Sequence, residues 1–181
     1  MGVPGGADVA LRIAGLLHRW STQDRADREY AVVVATRDEH VDPGAHFADA
    51  PDMVDSWPAH CVAGTDGAAF HPNLDPQPFD AVFDKGAYKA AYSGFEGTDR
   101  DGRGLGDWLR LHGVTETEIV GLATDHCVRA TAMDALLAGF DTTVRLDLTA
   151  GVSRATTAAA VVEMAASGAT LIGRPHGMDD L

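Results

Sequence analysis

The chain has 181 residues, 45% hydrophobic and 23% charged, which suits one soluble globular domain with a substantial core. Its formal net charge of −13 argues against partners that need a basic surface, namely nucleic acid backbones and anionic membranes. No apolar stretch approaches the ~20 residues that span a bilayer, the opening Met1-Gly2-Val3-Pro4-Gly5-Gly6 lacks the pattern of a secretory signal, and the two cysteines, Cys61 and Cys127, make no disulfide framework; a cytoplasmic enzyme that employs its thiols is the expectation.

The first predicted element is a helix over residues 7–21, with Val9, Leu11, Ile13, Leu16 and Leu17 toward one side. After a polar connection, the β-branched run 31–36 reads as a strand buried on both faces. Residues 37–75, rich in Asp, Pro, Gly and His, form a long loop of the kind that is usually functional. A short strand at 81–83 ends at Asp84-Lys85-Gly86, and a short helix over 105–112 closes at Gly113. A third strand covers 118–123. Thr124 and Asp125 offer capping side chains to a helix from Cys127 to Ala138. A strand at 142–146, an Ala-rich helix capped by Ser153 and a strand at 169–172 complete the order, and 174–181 reads as a mobile polar tail in which His176 is solvated. Strands alternating with helices predict an α/β fold: a single domain over 1–181, with a doubly wound, mostly parallel sheet and helices on both faces.

The densest chemistry follows the strand at 31–36. Asp38, His40, His46 and His60 bring one carboxylate and three imidazoles within a short segment, a ligand set suited to Zn, Fe, Mn or Co. Asp38 and His40 share a side of an extended backbone, and the turn at Pro43-Gly44 returns His46 toward them. The bland alternative is a polar loop of solvated histidines. Cys127 stands where a strand meets a helix; orphan amides and the helix dipole there favour the thiolate and suit an oxyanion. Its bland alternative is a small buried residue at a helix start. Lys85, at a strand's carboxyl end, would stabilise a thiolate or carboxylate beside it, and Trp57 and Tyr92 are candidate walls for a flat ligand.

Together these residues resemble the nicotinamidase/pyrazinamidase branch of the isochorismatase-like cysteine hydrolases over nearly the whole chain. The blocks that carry the resemblance are Thr36-Arg37-Asp38-Glu39-His40-Val41-Asp42-Pro43-Gly44-Ala45-His46-Phe47, Ser56-Trp57-Pro58-Ala59-His60-Cys61-Val62, Phe83-Asp84-Lys85-Gly86-Ala87-Tyr88 with Ala91-Tyr92-Ser93-Gly94-Phe95, and Val120-Gly121-Leu122-Ala123-Thr124-Asp125-His126-Cys127-Val128. The resemblance implies a metal-dependent cysteine amidase that converts nicotinamide to nicotinate and ammonia through a Cys127 thioester, in NAD salvage. It implies Cys127 as nucleophile, Lys85 as catalytic lysine, and the amides of Ala123 and Cys127 as oxyanion hole after a cis Leu122–Ala123 bond. It also implies Trp57, Tyr92 and His126 as pocket residues, and Asp38, His40, His46 and His60 as ligands of one Fe, Zn or Mn ion. A monomer or small homo-oligomer is expected.

One departure stands out. The family carries a third catalytic residue, an aspartate, on a first strand that precedes the Pro-Gly-Gly stretch. Here Pro4-Gly5-Gly6 lies almost at the amino terminus, and Asp8, Asp24 and Asp27 have no apolar strand context. The expectation is a shortened nicotinamidase whose sheet lacks that mid-sheet strand and whose cysteine lacks that base. Two alternatives follow: another amide or carbamoyl hydrolase of the superfamily, or a catalytically impaired metal-binding homologue.

Overall fold

The structure, a computed structural model, describes residues 2–177. Helix α1 (Gly6–Thr22) starts after Gly5, whose φ of 77° is left-handed. Val9, Ala10, Ala14, Leu17 and Trp20 are its buried face, with Asp8 in the first turn and Arg19 in the last, each favourable to the helix dipole. Strands β1 (Val34–Asp38) and β2 (Ala81–Lys85) pair in parallel, and β3 (Glu116–Leu122), β4 (Asp141–Ala150) and β5 (Thr170–Ile172) form a second parallel sheet in that order. Helices α2 (Leu105–Leu111), α3 (Arg129–Leu137) and α4 (Arg154–Ala166) supply the rest of the α/β alternation.

Two apolar clusters hold the layers together. Phe83 of β2 packs with Leu105, Trp108 and Leu109 of α2, Ala135 of α3 and Phe140. Val144 and Leu146 of β4 pack with Val128, Ala132 and Met164. Along β4 the buried residues alternate as a pleated strand requires: Thr142, Val144, Leu146 and Leu148 point inward. No helix among the described residues is long and apolar enough to cross a membrane.

Three expectations need correction. The valine run 32–34 is only half-buried, and so are Ile119 and Val120 of β3. The cause is a slot between β1 and β3, where the two sheets face one another without pairing among the described residues. The helix expected from Cys127 begins instead as a π-type turn, Thr124–Val128, before α3. Thr124 and Asp125 cap no helix end there; their side chains bond across to Thr149 and to the start of α4. The tail is packed through His176, whose amide donates to the Thr149 carbonyl at 2.8 Å and whose Nε2 lies 3.4 Å from Asp8. The remainder of the expected tail, 178–181, lies outside the described residues.

Candidate active site

Parallel strands deliver their carboxyl ends to one edge, and that edge assembles the candidate residues. Asp38 ends β1, Lys85 ends β2, and Cys127 lies in the turn after β3. Lys85 is the junction. Its ammonium donates to Asp38 Oδ1 in a short ion pair, to the Ala91 carbonyl at 3.0 Å and to Cys127 Sγ at 3.5 Å. Three donors meet three acceptors, so this buried lysine is held as a cation. Burial opposes its charge, but the neighbouring Cys127 and Asp38 outweigh that and raise its pKa.

Cys127 itself departs from expectation. Burial and the nearby Asp38 carboxylate push the thiol's pKa up, against the lowering effect of Lys85 and the Ala123 backbone. The helix-start argument omitted both opposing effects. The Leu122–Ala123 bond is cis, as the resemblance implied. The Ala123 carbonyl accepts the amides of His126 and Val128 at 3.0 and 3.1 Å, which fixes the turn carrying Cys127. Ala123 and Cys127 thus stand at the start and inside of one tight turn. Asp125 clasps this turn to α4: its carboxylate accepts the Val152 and Ser153 amides at 3.0 and 3.3 Å and a short bond from the Thr156 hydroxyl. Burial works against its charge, but those donors win and lower its pKa.

The long loop is organised by backbone pairing. The His40 amide donates to the Cys61 carbonyl at 2.9 Å, and the Ala63 amide returns a bond to His40 at 2.8 Å. The Trp57 amide donates to His46 at 2.8 Å, and the Ala48 amide to Trp57 at 3.0 Å. These bonds draw His40, His46 and His60 into one cluster, with ring centroids 5.0 to 5.3 Å apart. One ligand atom from each lies within 4.8 Å of the others. His40 Nδ1 bonds the Gly86 carbonyl at 2.6 Å and His60 Nδ1 the Pro58 carbonyl at 2.8 Å, which leaves each Nε2 lone pair to a metal. Buried His40 Nε2 and His46 Nδ1 have no hydrogen-bond partner. Burial first, then neighbouring imidazoles, lower the pKa of His46; burial also lowers that of His60, so both are neutral at pH 7. The orphaned nitrogens of His40 and His46, beside the free Nε2 of His60, fit a divalent cation.

Asp38 is placed differently from its three expected partners. It falls in a second group with His60 and Cys61, again within 4.8 Å, while its carboxylate is engaged by Lys85. Cys61 had no role in the sequence reading; its position directly after His60 was the available signal.

The aromatic residues bridge the two halves of the site. Trp57 Nε1 donates to the Tyr92 hydroxyl at 3.0 Å. His126 stacks on Tyr92 with centroids 5.8 Å apart and meets Trp57 edge-on at 5.3 Å. Tyr92 also approaches His46 edge-on at 5.9 Å. An aromatic wall therefore runs from the histidine cluster to the residue beside Cys127.

The isochorismatase domain matches residues 2–175 of this chain. The nicotinamidase/pyrazinamidase of Mycobacterium tuberculosis is 53% identical over 172 residues, covering 95% of this chain and 89% of that protein. The Pyrococcus horikoshii pyrazinamidase, solved in complex with zinc, superposes with a TM-score of 0.75 at 32% identity, covering 94% of this chain and 87% of that one. The yeast nicotinamidase bound to the inhibitor nicotinaldehyde gives 0.77 at 27% identity, covering 95% and 90%. A site built from a histidine cluster, a buried lysine and a cysteine turn, on a fold and sequence shared with these enzymes, places the chain in the isochorismatase-domain family, among its nicotinamidase/pyrazinamidase members.

Proposed function

We propose that this chain is a cysteine amidase that hydrolyses nicotinamide to nicotinate and ammonia, and pyrazinamide likewise, within NAD salvage. The observation that carries the reading is Lys85 Nζ at 3.5 Å from Cys127 Sγ, at the end of an aromatic wall that begins at three converging histidines. Trp57, Tyr92 and His126 hold the flat ring, which positions its carboxamide against the thiol. Cys127 sulfur attacks the carboxamide carbon while the Ala123 and Cys127 amides receive the oxyanion. The C–N bond breaks, the thiol proton ends on the departing ammonia, and a thioester remains. Water cleaves that thioester, releasing the acid and restoring the thiol. Lys85, held as a cation, stabilises the thiolate through the cycle. His40, His46 and His60, with Asp38 as fourth ligand, would hold one Zn, Fe or Mn ion. Such an ion would supply a Lewis-acidic anchor for the pyridine nitrogen.

The test is ammonia release from nicotinamide by the metal-supplied chain and by Cys127→Ala. The reading requires release that the substitution abolishes, and protection of Cys127 from a thiol alkylator by nicotinaldehyde. A folded, metal-loaded chain that releases no ammonia and whose Cys127 resists alkylation would instead support a metal-binding homologue without catalysis.

A further inference from the structure

The three histidines are one of two sets of metal-type donors that converge among the described residues. One donor atom each from Asp38, His60 and Cys61 lie within 4.8 Å of one another, in a second triad that shares His60 with the triad of His40, His46 and His60. The two sets differ in chemistry. Three imidazoles make a borderline site, whereas carboxylate, imidazole and thiol make an oxygen, nitrogen and sulfur set that favours a thiophilic ion. They differ in depth as well: His40 and His46 are buried, while Asp38, His60 and Cys61 are half-buried. Adjacent residues on an extended chain point to opposite sides, which would keep His60 and Cys61 from reaching one ion. The backbone at Cys61 removes that obstacle. Its φ is +47°, in the left-handed region that a residue with a Cβ rarely adopts. Pairing with His40 pins it there: the Cys61 carbonyl accepts the His40 amide at 2.9 Å, and the His40 carbonyl accepts the Ala63 amide at 2.8 Å. The strained residue is thus the one that gathers thiol, imidazole and carboxylate, and strain of this kind concentrates at ligand sites.

We infer that Asp38, His60 and Cys61 form a second seat for a divalent ion, selective for thiophilic metals such as cadmium, and that it competes with the histidine seat for occupancy. Competition follows from the shared ligands. His60 Nδ1 donates to the Pro58 carbonyl at 2.8 Å, which leaves one lone pair, at Nε2, for either ion. Asp38, the fourth ligand proposed for the histidine seat, is drawn to the second seat as well. It serves there while still bonded to Lys85, because that bond engages Oδ1 and a carboxylate carries two oxygens. Cys61 binds as the thiolate and releases its proton to solvent, and three protein ligands leave a fourth position to water. An ion in the second seat leaves the orphaned nitrogens of His40 and His46 without a metal. It also puts a divalent charge one carboxylate away from the Lys85 ammonium, itself 3.5 Å from Cys127 Sγ. A thiophilic ion therefore occupies the chain without filling the histidine cluster.

The experiment titrates the chelator-treated chain with cadmium and, separately, with manganese, which prefers oxygen and nitrogen donors. Thiolate-to-cadmium absorption in the ultraviolet reports a bond from cadmium to sulfur, and the paramagnetic resonance of manganese reports its bound fraction. The same titrations are run on Cys61→Ala, Cys61→Ser, Cys127→Ala and His46→Gln. The expected result is one cadmium per chain with the thiolate band, in the unsubstituted chain and in Cys127→Ala alike, and displacement of manganese by cadmium one for one. Cys61→Ala and Cys61→Ser lose the band and bind cadmium more weakly by roughly 10–100-fold or more, while they bind manganese as before, which shows that they are folded. His46→Gln does the reverse: manganese affinity falls and the cadmium band stays. Absence of the band in the unsubstituted chain overturns the inference, as does a band that survives loss of Cys61 or disappears with Cys127. Equal cadmium affinity with and without Cys61 overturns it too, and so does simultaneous binding of cadmium and manganese to one chain. Ammonia release is not read, so the outcome is independent of the amidase reading.

Discussion

Replacing Gly86 with alanine tests whether His40 is held in place for a metal by the backbone behind it. Gly86 takes φ +80°, and a Cβ built on it meets His40 Cε1 at 2.6 Å and Nδ1 at 2.8 Å. Non-bonded carbons rest about 3.5–4.0 Å apart, so the imidazole must retreat by about 1 Å. The same ring is anchored by its Nδ1 bond to the Gly86 carbonyl at 2.6 Å, so the substitution disturbs both the position and the orientation of Nε2. Gly102 provides the control: its φ is +79°, and nothing lies within 4 Å of the added carbon. A left-handed alanine costs about 1–2 kcal/mol. The loss of unfolded-chain entropy returns about 0.4–1 kcal/mol of that. Gly102→Ala should therefore lose about 0–1.6 kcal/mol of stability and bind zinc normally, while Gly86→Ala loses somewhat more. Misplacing a ligand through its supporting shell weakens metal binding roughly 10–100-fold, about 1.4–2.7 kcal/mol. Zinc titration against a chromophoric chelator, with thermal melts in EDTA, separates the two effects. Equal zinc affinity in the two variants would refute the argument that Gly86 positions His40.

Three other outcomes are expected. His46 and His60 titrate below the ordinary histidine range, so folding penalises their charged forms; the metal-free chain should lose stability as pH falls below about 6.5, and His46→Gln should flatten that part of a melting-temperature profile. Asp125 is held ionised more strongly in the fold than in the unfolded chain, so its stabilisation is complete above about pH 4 and is lost as pH falls through its lowered pKa; Asp125→Asn should cost about 1–3 kcal/mol at pH 7 and progressively less as pH falls through that lowered pKa, measured by denaturant melts across pH. Trp57→Phe removes the bond from Nε1 to the Tyr92 hydroxyl, about 0.5–1.5 kcal/mol, and should raise KM for nicotinamide roughly 2- to 12-fold with kcat changed less; a fall in kcat alone would place Trp57 outside ring binding.

Much of this was legible in the chain because the relevant signals are local. The β-branched runs and their spacing gave every strand, and Ser153 caps α4 as its position suggested, accepting the Thr156 amide at 3.2 Å. Asp38, Lys85 and Cys127 were placed together because each follows a strand. What escaped was set by long-range competition. A half-buried thiol beside a lysine and an aspartate has no signature in a helix-start rule, so the upward shift at Cys127 was missed. Asp125 reads as a cap, yet its carboxylate is used 27 residues away at Val152. The half-exposure of the valine run depends on what lies beside β1, and no periodicity in 31–36 records its neighbour.

Lys85 has a further consequence when viewed as a mechanical part. It belongs to β2, in one sheet, but its ammonium reaches Asp38 at the end of β1 and Cys127 in the turn that leaves β3, in the other. A lysine side chain has a limited reach, so these contacts tie the two halves together. A change in the separation of β1 and β3 beyond what that flexible stem can follow lengthens the gap of 3.5 Å between Nζ and Sγ. Thiol reactivity at Cys127 should thus serve as a caliper for the spacing of the sheets, readable in solution by the rate of alkylation.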